Sequence, residues 1–207
     1  MEVLWALNEL ELEYTRHNIG GSFGGNKEES YLKLNPNGLV PTIRDDDLVL
    51  WESNSIVRYL SRKFGQGVLL PENEKQVAKA DQWMDWCKTA VYPSFMPVFW
   101  GLIRTPKENQ NPSAIARSVE QSATTFAVLE NHLDNNDYLA GDAFSMGDIP
   151  VGVLVYRYLN LDIDRPEFPN IHAWYGRLTE RKAYQEHVMR PFGKNLDEWM
   201  RLEKESS

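Results

Sequence analysis

The sequence predicts a two-part α/β plus all-α protein. Residues 1–64 mix short strand-like runs with short helices, whereas residues 75–202 carry helical periodicity almost throughout. Between them Gly65-Gln66-Gly67-Val68-Leu69-Leu70-Pro71-Glu72-Asn73 holds the turn residues of a linker. The predicted units are therefore 1–64, a linker at 65–74 and a helical bundle at 75–207. A chain of 207 residues, 42% hydrophobic and 25% charged, has the balance of a globular protein with a sizeable core. We see no repeat and no low-complexity segment.

The elements follow in order. Val3, Ala6, Leu7 and Leu10 fall at helical spacing on one face of a helix already running at Met1. Tyr14 to Ile19 reads as a strand, Gly20 to Gly25 as a glycine-rich loop, and Glu28 to Leu34 as a short helix closed by Asn35-Pro36-Asn37-Gly38. Leu39 to Ile43 and Leu48 to Trp51 are two strands flanking the acidic tip Asp45-Asp46-Asp47, a hairpin turn. Ser53 is then expected to cap a helix whose buried face is Ile56, Val57, Tyr59, Leu60 and Phe64 and whose end is Gly65. In the helical part, Asn111-Pro112 starts a helix with proline at its first position, and Ile115, Val119, Phe126, Leu129 and Leu133 lie near one face. Phe144-Ser145-Met146-Gly147-Asp148-Ile149 reads as a capping box from Ser145 to Asp148 with a hydrophobic staple. Trp174, Tyr175 and Leu178 continue the packing.

Charge and composition exclude several functions. Thirty acidic against 22 basic side chains give a net charge of -8, which opposes nucleic acid binding, since that affinity rests on counterion release by Lys and Arg. An anionic small ligand needs a locally basic or amide-rich pocket. No apolar run reaches the roughly 18 residues of a membrane span, and residues 1–20 carry no secretory signal pattern. The single cysteine, Cys87, suits a reducing compartment; it sits in an apolar helical pattern and reads as packing. His17, His132, His172 and His187 form no ligand spacing, so no metal is expected.

Two motifs at a fixed separation carry more. Asn35-Pro36-Asn37-Gly38-Leu39-Val40-Pro41, a hairpin, and then Trp51-Glu52-Ser53-Asn54-Ser55-Ile56-Val57-Arg58-Tyr59-Leu60 resemble the glutathione-binding half of cytosolic glutathione transferases, bacterial and theta-like members above all. The resemblance runs into the helical half, where the Ser145–Asp148 box is a hallmark of the family. It implies a thioredoxin-like first domain lacking its first strand, followed by an α-helical bundle domain.

The resemblance also implies roles. Val40, before a cis Pro41, pairs its backbone with the cysteinyl part of glutathione as a strand would. Glu52 takes the γ-glutamyl ammonium, while the Ser53 hydroxyl and the first amides of its helix take the α-carboxylate. Asn26 and Lys27 stand where relatives place a group near the glycyl carboxylate. Taken alone, Val-Pro is a strand edge, Glu52 and Ser53 are helix-start residues, and Lys27 is equally a solvated charge.

The segment from Trp83 to Arg104 is unusually aromatic and carries Pro93 and Pro97, which should bend its helix. In the family this helix lines the pocket for the electrophilic second substrate and part of a dimer interface, so Tyr92, Phe95, Met96, Phe99, Trp100 and Arg104 are candidate pocket residues; singly, each reads equally well as bundle core.

Family members begin with a strand and a loop supplying a Ser, Cys or Tyr that stabilises the thiolate. Met1 aligns within the first helix, so that residue is not identified here; a start placed about 15 residues late is the expectation, against a variant that has lost catalysis. The function implied is a cytoplasmic, homodimeric glutathione transferase of detoxification, with glutathione as co-substrate and a small hydrophobic electrophile. The alternative is a non-catalytic, transferase-like module that binds a ligand or a protein.

Overall fold

The computed structural model describes residues 1–205. Its first part contains α1 (Glu2–Glu9), α2 (Glu29–Leu32), the strands β1 (Thr42–Asp45) and β2 (Leu48–Trp51), and α3 (Ser53–Phe64). The second contains α4 (Glu74–Trp86), α5 (Tyr92–Phe99), α6 (Pro112–Leu133), α7 (Asp148–Asn160), α8 (Pro169–Thr179), α9 (Lys182–His187) and α10 (Leu196–Glu205).

β1 and β2 pair antiparallel, with Thr42 opposite Trp51 and Asp45 opposite Leu48. The tight turn between them puts Asp46 at φ 53°, a conformation that short Asx side chains tolerate. Asp45 accepts from Tyr59 Oη and Lys63 Nζ, each at 2.6 Å, tying the hairpin to α3.

Two local expectations are corrected. Tyr14 to Ile19 forms no strand: Tyr14 through Asn18 are exposed, and no neighbouring strand among the described residues takes their backbone groups. β-propensity without a partner gives extended chain only. The first hairpin strand begins at Thr42 rather than Leu39, because Leu39 and Val40 precede the proline that starts the turn into the ladder.

α1 is the hinge of the core. It packs on α3, α7 and α9, and Trp5, fully buried, meets the rings of Phe144 at 5.5 Å and Tyr184 at 4.7 Å. Its indole donates to Glu9, which also receives Arg181 through two bonds of 2.8 and 2.6 Å. The two halves are also joined through Arg58, which donates to Asp81 at 2.6 Å and to Asp85, and through Asn54 Nδ2, which donates to the Met84 carbonyl at 2.8 Å.

α6 starts as its sequence dictates. Pro112 occupies the first turn, and Asn111 Oδ1 accepts from the Ala114 amide at 3.0 Å. At the start of α7, Asp148 is fully buried and accepts from the Ser145 amide at 2.9 Å, while Ser145 Oγ accepts from the Gly147 amide at 3.3 Å. Asp148 also takes the Leu139 amide and Trp174 Nε1, each at 3.0 Å. Burial nonetheless outweighs those donors and pushes its carboxyl up to about 6.

From Glu74 to Arg104 the chain is helical throughout, but Cys87–Val91 and Trp100–Arg104 are wide, π-type turns on either side of α5. Pro93 and Pro97 lie between them, and each removes an amide from the ordinary ladder.

Candidate functional site

The hairpin fixes the site. Since Thr42 faces Trp51 across the ladder, the residues just before β1 and just after β2 emerge at the same end. Val40 and Pro41 are thereby brought beside Glu52 and Ser53, the start of α3.

The Val40–Pro41 peptide is cis. Val40 is 52% exposed, and neither its amide nor its carbonyl has a hydrogen-bond partner among the described residues. A strand-like edge with both groups open is what an extended peptide ligand pairs with. The turn behind it is held from several sides. Tyr31 Oη donates to the Leu39 carbonyl at 2.6 Å and lies 2.8 Å from Thr42 Oγ1. Asn35, buried, donates to the same carbonyl at 2.8 Å while its Oδ1 accepts from the Asn37 amide at 3.1 Å.

Asn26 and Lys27 serve this turn as well. Asn26 Nδ2 donates to the Gly38 carbonyl at 2.8 Å, and Lys27 Nζ reaches the Asn37 carbonyl at 3.4 Å. Gly38 is required here: its φ is +61°, and a Cβ would stand 2.7 Å from Lys27 Nζ and 2.8 Å from the Asn26 carbonyl oxygen.

At the other edge the structure moves the helix boundary. Ser53 is the first residue of α3, not its cap; Glu52 holds the cap position and offers no side-chain bond to the first turn. Glu52 has φ +71°, a left-handed conformation costing about 1–3 kcal/mol for a residue with a side chain. Its carboxylate is exposed. Ser53 is 8% exposed, and its hydroxyl finds no protein partner among the described residues. The first amides of α3 therefore remain uncapped beside a free hydroxyl and a free carboxylate, which is an arrangement suited to an α-amino acid head group.

The aromatic helix splits its candidates between two faces. Phe95 and Phe99 are fully buried and Met96 nearly so. Phe95 packs edge-on to Phe126 and Tyr158, and Phe99 to Phe192 and Trp199. Tyr92 and Trp100 are exposed, their rings 6.4 Å apart, and Arg104 lies 5.1 Å from the centre of the Trp199 ring. α10 links this region to the first domain, because Glu203 accepts from the Ser22 amide at 3.0 Å within the glycine-rich loop, where a Cβ on Gly20 would stand 3.5 Å from the Val40 side chain.

Sequence reasoning missed Tyr31 and Arg157, and it reads Asn35 only as part of the turn that opens the first motif. Tyr31 and Asn35 act through side-chain bonds to the Leu39 carbonyl, and Tyr31 belongs to no motif. Arg157 carried a signal, a charge inside the apolar run from Ile149 to Leu159. Burial pushes its pKa down to about 10, with Glu2 opposing that shift.

A cavity of about 660 Å³ lies away from all of these residues, at the far end of α1, among Glu9, Glu11, Arg177, Arg181 and Lys182. It is strongly charged and holds none of the candidate groups. No group of three or more His, Cys, Asp or Glu side chains able to hold a metal occurs among the described residues, and none of their helices is long and apolar enough to cross a membrane.

Comparison with known proteins gives a consistent result. The family model described as glutathione S-transferase, N-terminal domain, matches residues 1–63, and that described as glutathione S-transferase, C-terminal domain, matches residues 91–182. The chain is 40% identical over 192 residues to glutathione S-transferase GstB of Escherichia coli strain K12, covering 92% of each chain. It is 30% identical over 198 residues to glutathione S-transferase 3 of Zea mays, covering 91% of this chain and 87% of that one. Among solved structures, the theta class glutathione S-transferase of Xanthomonas axonopodis pv. citri with glutathione bound superposes with a TM-score of 0.89 at 42% identity, over 93% of this chain and 92% of the other.

Proposed function

The chain belongs to the glutathione S-transferase family and is a glutathione transferase; from that premise we propose which of its residues bind glutathione, its co-substrate, and where the second substrate lies. Residues 1–64 form the glutathione-binding domain, 65–74 the linker and 75–207, of which 206 and 207 lie outside the described residues, the helical domain with the electrophile site.

The cysteinyl residue of glutathione pairs with the open amide and carbonyl of Val40 beside Pro41. The γ-glutamyl α-carboxylate sits on the Ser53 hydroxyl and the uncapped amides of α3, where the positive end of the helix favours it. Glu52 faces the ammonium of the same group. The left-handed backbone of Glu52 turns the chain so that its carboxylate and the first α3 amides meet one head group, a local cost consistent with ligand binding. Asn26 and Lys27, next to the turn, meet the glycyl end. The single observation that carries this reading is the unpartnered Val40 backbone placed by the hairpin beside the uncapped start of α3.

Once the thiol is ionised, its sulfur attacks the electrophile: a carbon–sulfur bond forms and the leaving group departs with its electron pair. With a disulfide as acceptor, sulfur exchange replaces that step. The electrophile lies against the aromatic helix, with Tyr92, Trp100 and Arg104 on its open face and Phe95, Met96 and Phe99 behind. The reading extends to a cytoplasmic homodimer that disposes of small hydrophobic electrophiles, with the helix of residues 83–104 contributing to the contact. A recess lies between that helix and α6, lined by Ala90, Pro93, Ser94, Gln121, Thr124 and Thr125.

Calorimetric titration with glutathione, and with the dipeptide Cys-Gly that lacks the γ-glutamyl group, tests the binding assignment. Glutathione is expected to bind at least tenfold more tightly than Cys-Gly. Equal affinities would remove the roles given to Glu52 and Ser53.

A further inference from the structure

Glu203 lies half-buried on α10, and its carboxylate reaches across to the other half of the molecule. It accepts from the Ser22 amide at 3.0 Å. Both of its oxygens crowd Gly21, where a Cβ would stand 2.8 Å from one and 2.9 Å from the other, and Gly21 has φ +54°. A side chain at 21 would thus be strained and would push the carboxylate off the backbone it sits on.

The glycine-rich loop gains from such a tether. Gly20, Gly21, Gly24 and Gly25 all have positive φ, and a run so rich in glycine gives up a great deal of backbone freedom when it orders. Inside the loop the Gly20 amide donates to the Gly24 carbonyl at 2.6 Å and the Phe23 amide to the Gly20 carbonyl at 3.0 Å, while at its end the Glu28 amide donates to the Gly25 carbonyl at 3.2 Å. Among the described residues, Glu203 is the group from distant sequence that hydrogen-bonds to it.

What the loop adjoins is the candidate glutathione site. A Cβ on Gly20 would stand 3.5 Å from both methyl groups of Val40 and 3.9 Å from Cβ of Asn26, and Asn26 and Lys27 follow the loop directly. The helix that supplies the tether is built from its own residues. Asn195 Oδ1 accepts from the Glu198 amide at 3.0 Å, Glu198 accepts from the Lys194 amide at 2.9 Å, and Arg201 pairs with Glu205 at 2.9 Å. No residue of α10 is buried. Neither the helix nor the core depends on the Glu203 carboxylate, so its charge-assisted bond acts on the loop.

We propose that Glu203 is a positioning residue of the glutathione site. Seated on the Gly21–Ser22 backbone, its carboxylate holds the glycine-rich loop in the arrangement that presents Val40, Asn26 and Lys27 to the ligand. Without it, the cost of ordering the loop falls on the binding step. The inference rests on the glutathione reading given above and adds to it a residue from the helical half.

The test compares the full chain with three variants. Glu203→Ala removes the acceptor, Glu203→Gln keeps an oxygen in its place, and Arg201→Ala breaks the exposed pair with Glu205 on the same helix. Glu203→Ala is expected to weaken glutathione binding about five- to tenfold in calorimetric titration. It should also speed hydrogen exchange of the amides of residues 21–25 in the free protein and leave the urea unfolding free energy unchanged. Glu203→Gln and Arg201→Ala should each stay within about twofold of the wild-type affinity. Wild-type affinity in Glu203→Ala, or a gain, overturns the inference and leaves the glutathione reading standing. An equal loss in Glu203→Gln overturns it by assigning the effect to charge, and an equal loss in Arg201→Ala by assigning it to the whole helix. A fall in unfolding free energy that matches the lost affinity overturns it too, because the carboxylate would then support the fold. Glutathione binding by none of the proteins, wild type included, overturns the glutathione reading itself.

Discussion

Ser53→Ala separates a ligand contact from a structural one. If the hydroxyl capped α3, its loss would cost about 0.5–2 kcal/mol of stability. The structure places Ser53 inside the first turn, 8% exposed and without a protein partner, so its removal strands no donor or acceptor of the protein. The expected change in unfolding free energy is within about 0.5 kcal/mol. Glutathione, in contrast, would lose a hydrogen bond to its charged α-carboxylate, worth about 1.5–3 kcal/mol. At about 1.4 kcal/mol per tenfold, its affinity should fall roughly 12- to 140-fold. Urea unfolding and calorimetric titration of the same two proteins measure both quantities. An unchanged dissociation constant refutes the binding role. A stability loss above about 1 kcal/mol with full affinity would make Ser53 a cap after all.

Gly38→Ala places a Cβ at φ +61° against the Asn26 carbonyl and Lys27 Nζ; it should cost about 1–3 kcal/mol in urea unfolding and weaken glutathione binding by displacing Val40, and unchanged values of both would refute the role of the turn. Tyr31→Phe removes the hydroxyl at 2.6 Å from the Leu39 carbonyl and should lower stability by about 0.5–1.5 kcal/mol, since Asn35 still satisfies that oxygen. Because burial holds the Asp148 carboxyl at about 6 against an ordinary 3.8, its contribution to stability is full below the lower value and lost as pH rises through the upper one. The stability of the wild type relative to Asp148→Asn should therefore fall by up to about 3 kcal/mol between pH 4 and 7, and a difference that does not vary with pH would contradict this. Sedimentation at tens of micromolar is expected to give a dimer; a monomer there would sink the assembly part of the proposal.

The readings that held are those whose causes are local. Asn111-Pro112 sets a cap and a first-turn proline with no help from the rest of the chain, and the acidic tip between two short β-branched and aliphatic runs defines the hairpin. Tyr14 to Ile19 has strand composition, but a ladder needs a neighbour, which no residue in that segment encodes. Ser53 is a favoured capping residue by type, yet the cap falls one residue earlier because Glu52 adopts a left-handed backbone; residue type argues against that conformation, so sequence alone pointed one position too far.

The aromatic helix explains the remaining gap in physical terms. A helical wheel assigns faces by about 100° per residue, and each wide turn inserts one extra residue, rotating everything after it by roughly that amount. With such turns at Cys87–Val91 and Trp100–Arg104, a single wheel drawn from Trp83 to Arg104 has the wrong phase over part of its length. Both turns lie outside Tyr92–Phe99, so the split of the candidate set into a buried pair, Phe95 and Phe99, and an exposed pair, Tyr92 and Trp100, comes from tertiary cover: rings of α6, α7 and α10 close over the first pair. The second wide turn ends on Arg104, beside the α10 ring of Trp199, and Phe99 meets that ring edge-on while Arg157 of α7 lies over Phe99. Three helices far apart in sequence thus converge on rings that neither a motif nor a periodicity joins, so the surroundings of Phe99 are a property of the tertiary fold.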